Sequence, residues 1–298
     1  MSSTVANGLV VGAHGRHCMV ESTDGSRRLC HARGKKSECV VGDHVVWQAT
    51  GDEGVIDQVV PRRNLLFRQD EWRSKSFAAN LDQLLILVAA EPMYAETQLT
   101  RALIAAQQAG IPSFIVLNKT DLPQIAAARE RLAPYGAMGI EVIELSLKGR
   151  MAQAISTLTP RLTGRATLVL GPSGMGKSTL INGMVPAAAA QVGEISKALN
   201  AGRHTTTTTT WYWLDDARRT ALIDSPGFQE FGLRQVSPAE LPALMPDIAP
   251  HVGCRFYNCT HLHEPGCGVR AALERHEISP SRYRIYQELH AELSAKRW

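Results

Sequence analysis

The sequence lacks the features of a membrane or secreted protein. None of its apolar runs approaches the roughly 18–20 residues that span a bilayer. Its first residues do not place a basic segment before an apolar one, as a secretory signal does. We therefore expect a cytoplasmic protein with no membrane partner. With 298 residues, 44% of them hydrophobic and 20% charged, the chain has a globular composition and the length for two or three domains.

The sequence also lacks a large excess of charge of either sign. The formal net charge of +4 permits an RNA partner but does not indicate one. A local basic cluster is either a solvated loop or a nucleic-acid contact, and it consists of Arg27, Arg28, Arg33, Lys35 and Lys36.

Cysteine is sparse, with six residues in two groups. Cys18, Cys30 and Cys39 are scattered through strand-like sequence, and we expect buried thiols there. The other three lie close together near the end of the chain. In a cytosolic protein such crowding indicates a metal site rather than disulfides.

The most specific motif is a complete phosphate-loop pattern, G-x-x-x-x-G-K-S/T. Its residues are Gly171, Pro172, Ser173, Gly174, Met175, Gly176, Lys177, Ser178 and Thr179. An apolar strand-like run precedes it and a helical pattern follows, as a phosphate site requires. Lys177 would reach the β- and γ-phosphates, and the Ser178 hydroxyl would hold Mg²⁺. The alternative is a glycine-rich turn that binds nothing.

A second motif predicts guanine recognition. A buried strand ends in the N-K-x-D sequence Asn118, Lys119, Thr120 and Asp121. A carboxylate at Asp121 accepts the ring N–H and exocyclic amine that guanine presents together, while Asn118 can face the O6/N7 edge and the Lys119 stem can pack along the base. Ser146 lies in the companion loop that would present a backbone N–H to O6. Alone, the tetrapeptide is common, and a plain turn after a strand is the alternative.

A third motif, D-x-x-G, begins at Asp224 and ends at Gly227. Asp224 would support Mg²⁺ through water, and the Gly227 N–H would meet the γ-phosphate. Most GTPases place N-K-x-D last, whereas here it comes first. The chain therefore predicts a circular permutation, in which the second switch leads directly into the C-terminal region and its movement acts on both flanking domains.

The predicted architecture has three parts. Short strand-like runs with turn signals fill residues 1–65 and favour a small barrel. We choose an OB-like barrel, although the pattern alone does not separate it from an SH3-like one. Residues 66–80 are polar and indicate a linker. Alternating buried strands and helices then predict an α/β domain, and the tail from Val269 is helical. We place the domains at 1–68, 69–234 and 235–298.

The whole chain resembles the ribosome small subunit-dependent GTPase family, RsgA. The resemblance is carried by the permuted order and by residues 118–121, 171–179, 202–207, 224–227 and the cysteine cluster. It implies a circularly permuted P-loop GTPase domain between an OB-fold barrel that touches rRNA and a helical zinc-binding domain. It also implies hydrolysis of GTP to GDP stimulated by the small (30S) subunit, late in that subunit's maturation. We expect a monomer.

The cysteine cluster has the spacing Cys254-x₄-Cys259-x-His261-x₅-Cys267. Three thiolates and one imidazole form a closed tetrahedral Zn²⁺ site of the structural type. Three free thiols beside a chance histidine are the alternative. His263 competes as a ligand, but the family spacing favours His261.

Six consecutive threonines occupy residues 205–210. They indicate either a strand or the first switch, in which one hydroxyl completes Mg²⁺ coordination; the family pattern favours Thr206. The position after D-x-x-G, where Ras-like GTPases carry a water-orienting glutamine, is Phe228. The intrinsic rate should therefore be slow, and His204 is the best candidate to orient the water.

Two other functions remain open from the sequence. One is a GTPase in tRNA modification or metal delivery, and the other is a nucleotide-gated RNA-binding module whose turnover is incidental. Measuring GTP hydrolysis with and without small ribosomal subunits separates them.

We predict that His204→Ala binds GTP and the small subunit nearly normally but loses most of the subunit-stimulated hydrolysis, because the water loses its orienting group. Single-turnover assays with saturating subunits measure this. Undiminished hydrolysis by the variant would instead assign water orientation to the ribosome.

Overall fold

The computed structural model describes residues 5–14, 17–33, 39–69, 74–186, 188, 209–225 and 232–295. Three residues predicted to act in the site, His204, Thr206 and Gly227, lie outside these ranges, as does Phe228. Within the described ranges, no helix combines the length and the apolar character needed to cross a membrane.

Five strands form an N-terminal barrel: β1 (Val5–His14), β2 (His17–Ser22), β3 (Arg27–Ala32), β4 (His44–Thr50) and β5 (Glu53–Val59). They pair in the order β1-β2-β3-β5-β4, and β4 closes the barrel by pairing with β1. This closed arrangement, with β3 and β5 parallel, confirms the OB-like prediction. Cys18, Cys30 and Cys39 are buried in the barrel core, as predicted.

A hairpin follows the barrel, so the prediction of a polar linker over 66–80 is wrong. Strands β6 (Leu65–Gln69) and β7 (Ser74–Ala79) pair antiparallel. The many polar residues of this segment concealed its strand pattern. Leu66 and Phe77 are nevertheless buried in the main core. Those apolar contacts stabilise a segment whose composition indicated a loop.

The α/β domain is built on parallel strands. These are β8 (Gln83–Ala89), β9 (Ser113–Asn118), β10 (Val142–Glu144), β11 (Ala166–Leu170) and β13 (Ala221–Asp224), in the order β10-β9-β8-β11-β13. The helices that accompany them are α1 (Glu96–Gln108), α2 (Ile125–Ala137), α3 (Met151–Leu162) and α4 (Lys177–Met184). Every residue of β8 is buried, as expected for a central parallel strand.

One antiparallel strand joins the two sheets. β12 (Thr210–Trp213) pairs with β13 along its length and meets β1 at the Gly12–Thr210 pair. The barrel and the α/β sheet therefore form one continuous eleven-stranded sheet. The Trp213 indole N–H also donates to the buried Glu21 carboxylate at 2.7 Å, which fastens β12 to β2.

The C-terminal region packs against α1. After 3-10 turns at Leu241–Leu244 and Ala249–His251 come helices α5 (Gly268–Glu274) and α6 (Pro280–Ser294). Arg282, which is 2% exposed, donates to both Asp247 oxygens at 2.7 and 3.0 Å and to the Thr100 hydroxyl at 2.5 Å. This buried network joins α6 to α1.

The predicted domain boundary after residue 68 falls within β6. The division of the chain into domains at residues 68 and 234 stays a prediction.

Candidate nucleotide-binding site

The predicted nucleotide residues that the structure describes lie at one edge of the sheet, in loops or at the ends of the elements that the loops join. Because β8, β9, β11 and β13 are parallel, their carboxyl ends meet at the same edge. The loops that leave this edge carry residues 90–95, the N-K-x-D sequence, the phosphate loop and the start of D-x-x-G. Ligands of open α/β sheets bind at this edge.

The phosphate loop has a backbone that glycine permits. Gly174 and Gly176 adopt φ values of +80° and +107°, which other residues rarely adopt. A Cβ at Gly176 would also lie 2.5 Å from Asn118 Nδ2. The loop ends where α4 begins at Lys177, so the backbone N–H groups at the helix start face the position predicted for phosphate. Ser178 and Thr179 sit exposed in the first turn of α4.

Lys177 and Asp224 form a desolvated pair of opposite charges beside this loop. The Lys177 ammonium donates to the carbonyls of Gly171 and Pro172 at 2.7 and 2.9 Å. Burial lowers the pKa of Lys177, and the Asp224 carboxylate opposes that shift. Burial raises the pKa of Asp224 to about 6, against the opposing effect of Lys177. Both groups are suited to gaining partners, a phosphate for the ammonium and a hydrated cation for the carboxylate.

Asn118 links three loops through one carboxamide. Its Nδ2 donates to the Met175 carbonyl at 2.9 Å, and its Oδ1 accepts the Leu147 N–H at 3.0 Å. The base-recognition and phosphate-binding motifs are thereby held against each other. Both polar atoms already have protein partners, so contact between Asn118 and the O6/N7 edge of a base stays a prediction.

Asp121 is oriented by Ser146. The Ser146 hydroxyl donates to Asp121 Oδ1 at 2.5 Å, with the Lys148 carbonyl 3.0 Å away as another acceptor. This hydrogen bond lowers the pKa of Asp121 and keeps the carboxylate ionised. The Thr120 N–H donates to the Leu145 carbonyl at 3.3 Å, which joins the two loops again. Asp121 is exposed and available to accept two donors from a base.

The loop after β8 also borders the site, and sequence reasoning missed it. Lys119 Nζ donates to the Glu91 carbonyl at 2.6 Å, and a Cβ at Gly174 would lie 3.4 Å from the Pro92 ring. This loop follows the carboxyl end of a central parallel strand, and that position could have indicated that it borders the nucleotide site.

A second candidate site lies in the C-terminal region. The ligand atoms of Cys254, Cys259, His261 and Cys267 all lie within 4.8 Å of one another. Cys254 Sγ is 3.8 Å from Cys267 Sγ, and His261 Nδ1 is 3.3 and 3.5 Å from these two sulfurs. A tetrahedron with Zn–S bonds of about 2.3 Å has S–S edges of roughly 3.8 Å. The donor set and spacing therefore fit Zn²⁺, while His263 is outside the cluster and exposed.

Hydrogen bonds fix the backbone around this cluster. The Tyr283 hydroxyl donates to the His261 carbonyl and the Tyr286 hydroxyl to the Thr260 carbonyl, both at 2.8 Å. The Gly268 N–H lies 3.4 Å from Cys254 Sγ. Partners of this kind orient metal ligands, so the four donors are held together by α6 and the start of α5.

Comparison with known proteins gives consistent results. A sequence model of the RsgA GTPase family matches residues 59–234. A protein from Variovorax paradoxus named small ribosomal subunit biogenesis GTPase RsgA is 60% identical, across 98% of this chain and 94% of its own length. The crystal structure of YjeQ from Thermotoga maritima has a TM-score of 0.74 at 30% identity, covering 99% of this chain and 100% of the other. The structure of YloQ, described as a circularly permuted GTPase, has a TM-score of 0.71 at 25% identity, with 99% and 98% covered.

We predict that Asp121→Asn weakens GTP binding and shifts preference toward xanthosine triphosphate. The amide replaces a carboxylate matched to two donors with a group matched to a carbonyl, and such a mismatch can change discrimination by on the order of 10⁴. Calorimetric titration with both nucleotides measures the shift. The matched control is Asp216→Asn, an exposed aspartate on the β12–β13 turn, and it should retain the wild-type preference. Unchanged GTP affinity of Asp121→Asn would remove Asp121 from base recognition.

Proposed function

The chain belongs to the RsgA GTPase family and is a GTP-hydrolysing enzyme, and from that premise we propose that it acts in late maturation of the small (30S) ribosomal subunit, which stimulates its hydrolysis. Full-length similarity to a protein named for small-subunit biogenesis supports this role. The same similarity favours it over tRNA modification, metal delivery or nucleotide-gated RNA binding.

The observation that carries the nucleotide chemistry is the Asn118 carboxamide. It places the N-K-x-D loop against the phosphate loop at one sheet edge. A base bound by Asp121 would then extend its phosphates toward Lys177 and the start of α4. One nucleotide can therefore contact both motifs.

In the proposed mechanism, the chain positions GTP and stabilises charge. Lys177 leaves its two carbonyl acceptors to contact the β- and γ-phosphates, and the Gly227 N–H meets the γ-phosphate. Mg²⁺, held by the Ser178 and Thr206 hydroxyls with Asp224 acting through water, would supply neutralisation of the phosphate charge. His204 orients the attacking water, since Phe228 lacks a hydrogen-bonding group.

The barrel is proposed to contact rRNA. Three arginines of the basic cluster are already bonded within the barrel: Arg27 to Glu21 at 2.8 Å, Arg28 to the Gly51 carbonyl at 3.0 Å, and Arg33 to Asp57 at 3.1 Å. Arg33 remains 67% exposed, so its guanidinium can also reach a phosphate. Lys35 and Lys36 lie outside the described residues.

Both switch segments end on the β-structure of the N-terminal half. The threonine-rich segment runs into Thr210, which pairs with Gly12 of the barrel. The D-x-x-G segment runs into Leu233, which is bridged to Gln69. A γ-phosphate-dependent movement would therefore reach the barrel from the first segment and the hairpin of β6 and β7 from the second, through backbone contacts.

We further propose that Cys254, Cys259, His261 and Cys267 hold one structural Zn²⁺. The closed donor set leaves no position for substrate, so the ion would fold the C-terminal loop and not act on GTP. We also propose that the protein is a monomer and that it acts in the cytoplasm, where small subunits are assembled.

The test of the proposed function is GTP turnover with and without purified small subunits. We expect slow hydrolysis by the protein alone and a large increase with small subunits, but not with large ones. Lys177→Ala should abolish turnover in both cases, because the side-chain cation that faces the phosphates is removed. Equal rates with and without small subunits would contradict the proposed role, and wild-type turnover by Lys177→Ala would exclude the phosphate loop from the mechanism.

Removing a cluster ligand tests the zinc proposal. Cys254→Ser or Cys259→Ser should lose zinc and loosen residues 235–298 while GTP binding is retained. Elemental analysis and hydrogen exchange measure the two effects. Cys30→Ala, which removes a buried barrel thiol instead, should keep its zinc. Absence of zinc from the reduced wild-type protein would refute the assignment.

A further inference from the structure

Exposed apolar side chains are concentrated just before and within the loop that joins the first two cluster cysteines. Among the described residues, the large hydrophobic side chains that are exposed are Val60, Met93, Val252, Phe256 and Tyr257. Three of these five fall within residues 252–257, and the Tyr257 side chain is completely exposed. A rigid exposed aromatic of this kind is typical of a binding surface. We refer to residues 255–257 as the loop tip.

The backbone of the loop tip is held in place. Its flanking residues Cys254 and Cys259 both belong to the four-residue cluster. The Arg255 N–H donates to the Gly266 carbonyl at 3.2 Å, and the Cys259 N–H donates to the Phe256 carbonyl at 3.2 Å. The two rings are therefore presented on a fixed backbone, which reduces the entropy lost when a partner binds.

The charges around the loop tip favour an anionic partner. The Arg255 guanidinium lies 5.6 Å from the centre of the Phe256 ring, and Arg270 follows on α5. The only carboxylate in residues 252–270 is Glu264. Its two oxygens accept from the Thr260 N–H and hydroxyl and from the Leu262 and His263 N–H groups. Glu264 is thus occupied within the loop. Arg270 is half-buried and its guanidinium lies 3.5 Å from the Glu264 carbonyl, whereas the Arg255 side chain is exposed and can reach an anion.

A planar group linked to an anion satisfies both features. Exposed aromatic rings stack on unpaired nucleobases, and arginine binds the adjoining phosphate or stacks on a base in turn. A protein partner would supply its apolar and acidic groups on separate side chains, whereas a nucleotide joins a planar ring to an anion in one unit. We propose that the loop tip is a stacking platform for an unpaired RNA base, with Tyr257 as the main contact. This inference rests on the proposed function, since the RNA would be that of the small subunit.

The experiment compares the affinity of full-length variants for small subunits in the presence of a non-hydrolysable GTP analogue. Tyr257→Ala should weaken binding about 5- to 150-fold, the range for loss of one base–aromatic stack. Tyr257→Trp should bind like wild type, because the planar ring is kept. Val252→Ala, which removes exposed apolar surface without a ring, should bind like wild type as well. Zinc content and intrinsic GTP hydrolysis should be unchanged in all three variants.

The identity of the partner is read by placing a photo-crosslinking benzophenone side chain at position 257. Cross-linking to rRNA is expected. Cross-linking only to a ribosomal protein, or equal weakening by Val252→Ala and Tyr257→Ala, would overturn the stacking inference in favour of a protein contact. Unchanged affinity of Tyr257→Ala would overturn it while leaving the proposed function intact. Failure of the wild-type protein to bind small subunits would instead refute the proposed function, and this inference with it.

Discussion

The carboxamide of Asn118 is the contact on which the nucleotide site depends. It is buried, and it bonds Met175 in the phosphate loop and Leu147 in the loop beside Asp121. Gly176 can pass beside it only because it lacks a Cβ. Loss of one partner would leave a buried amide unsatisfied, at a cost of about 1–3 kcal/mol. Three loops from three strands are thus fixed relative to one another before any ligand binds.

This pre-formed edge holds charges in an environment that disfavours them. Burial shifts the pKa values of Lys177 and Asp224 in opposite directions, each toward its neutral form. Their attraction offsets only part of the desolvation, since both shifts persist. A bound phosphate and a hydrated cation would give each group a partner of opposite charge. Perturbed charges of this kind are typical of functional sites.

The parts of this structure that the sequence predicted are those whose signal is local. The continuous apolar run of β8 and the phosphate-loop pattern each specify their own geometry, as does the spacing of Cys254, Cys259, His261 and Cys267. The hairpin of β6 and β7 was missed because its stability comes from Leu66 and Phe77 entering a core that is distant in sequence. The Glu91 carbonyl and the Arg282–Asp247 pair were missed for the same reason, since their partners are 28 and 35 residues away.

Because of the permuted order, the chain after the D-x-x-G segment continues into the C-terminal region, and Arg234 lies at this junction. Its N–H donates to the Gln69 carbonyl at 2.9 Å, and its guanidinium donates to the Glu292 carbonyl of α6 at 3.2 Å. Glu292 also pairs with Arg101 on α1. One residue next to the second switch therefore contacts the hairpin that follows the barrel and the last helix. In an unpermuted chain this segment would lead back into the α/β domain, whereas here a displacement of Arg234 would bear on the hairpin and the last helix at once.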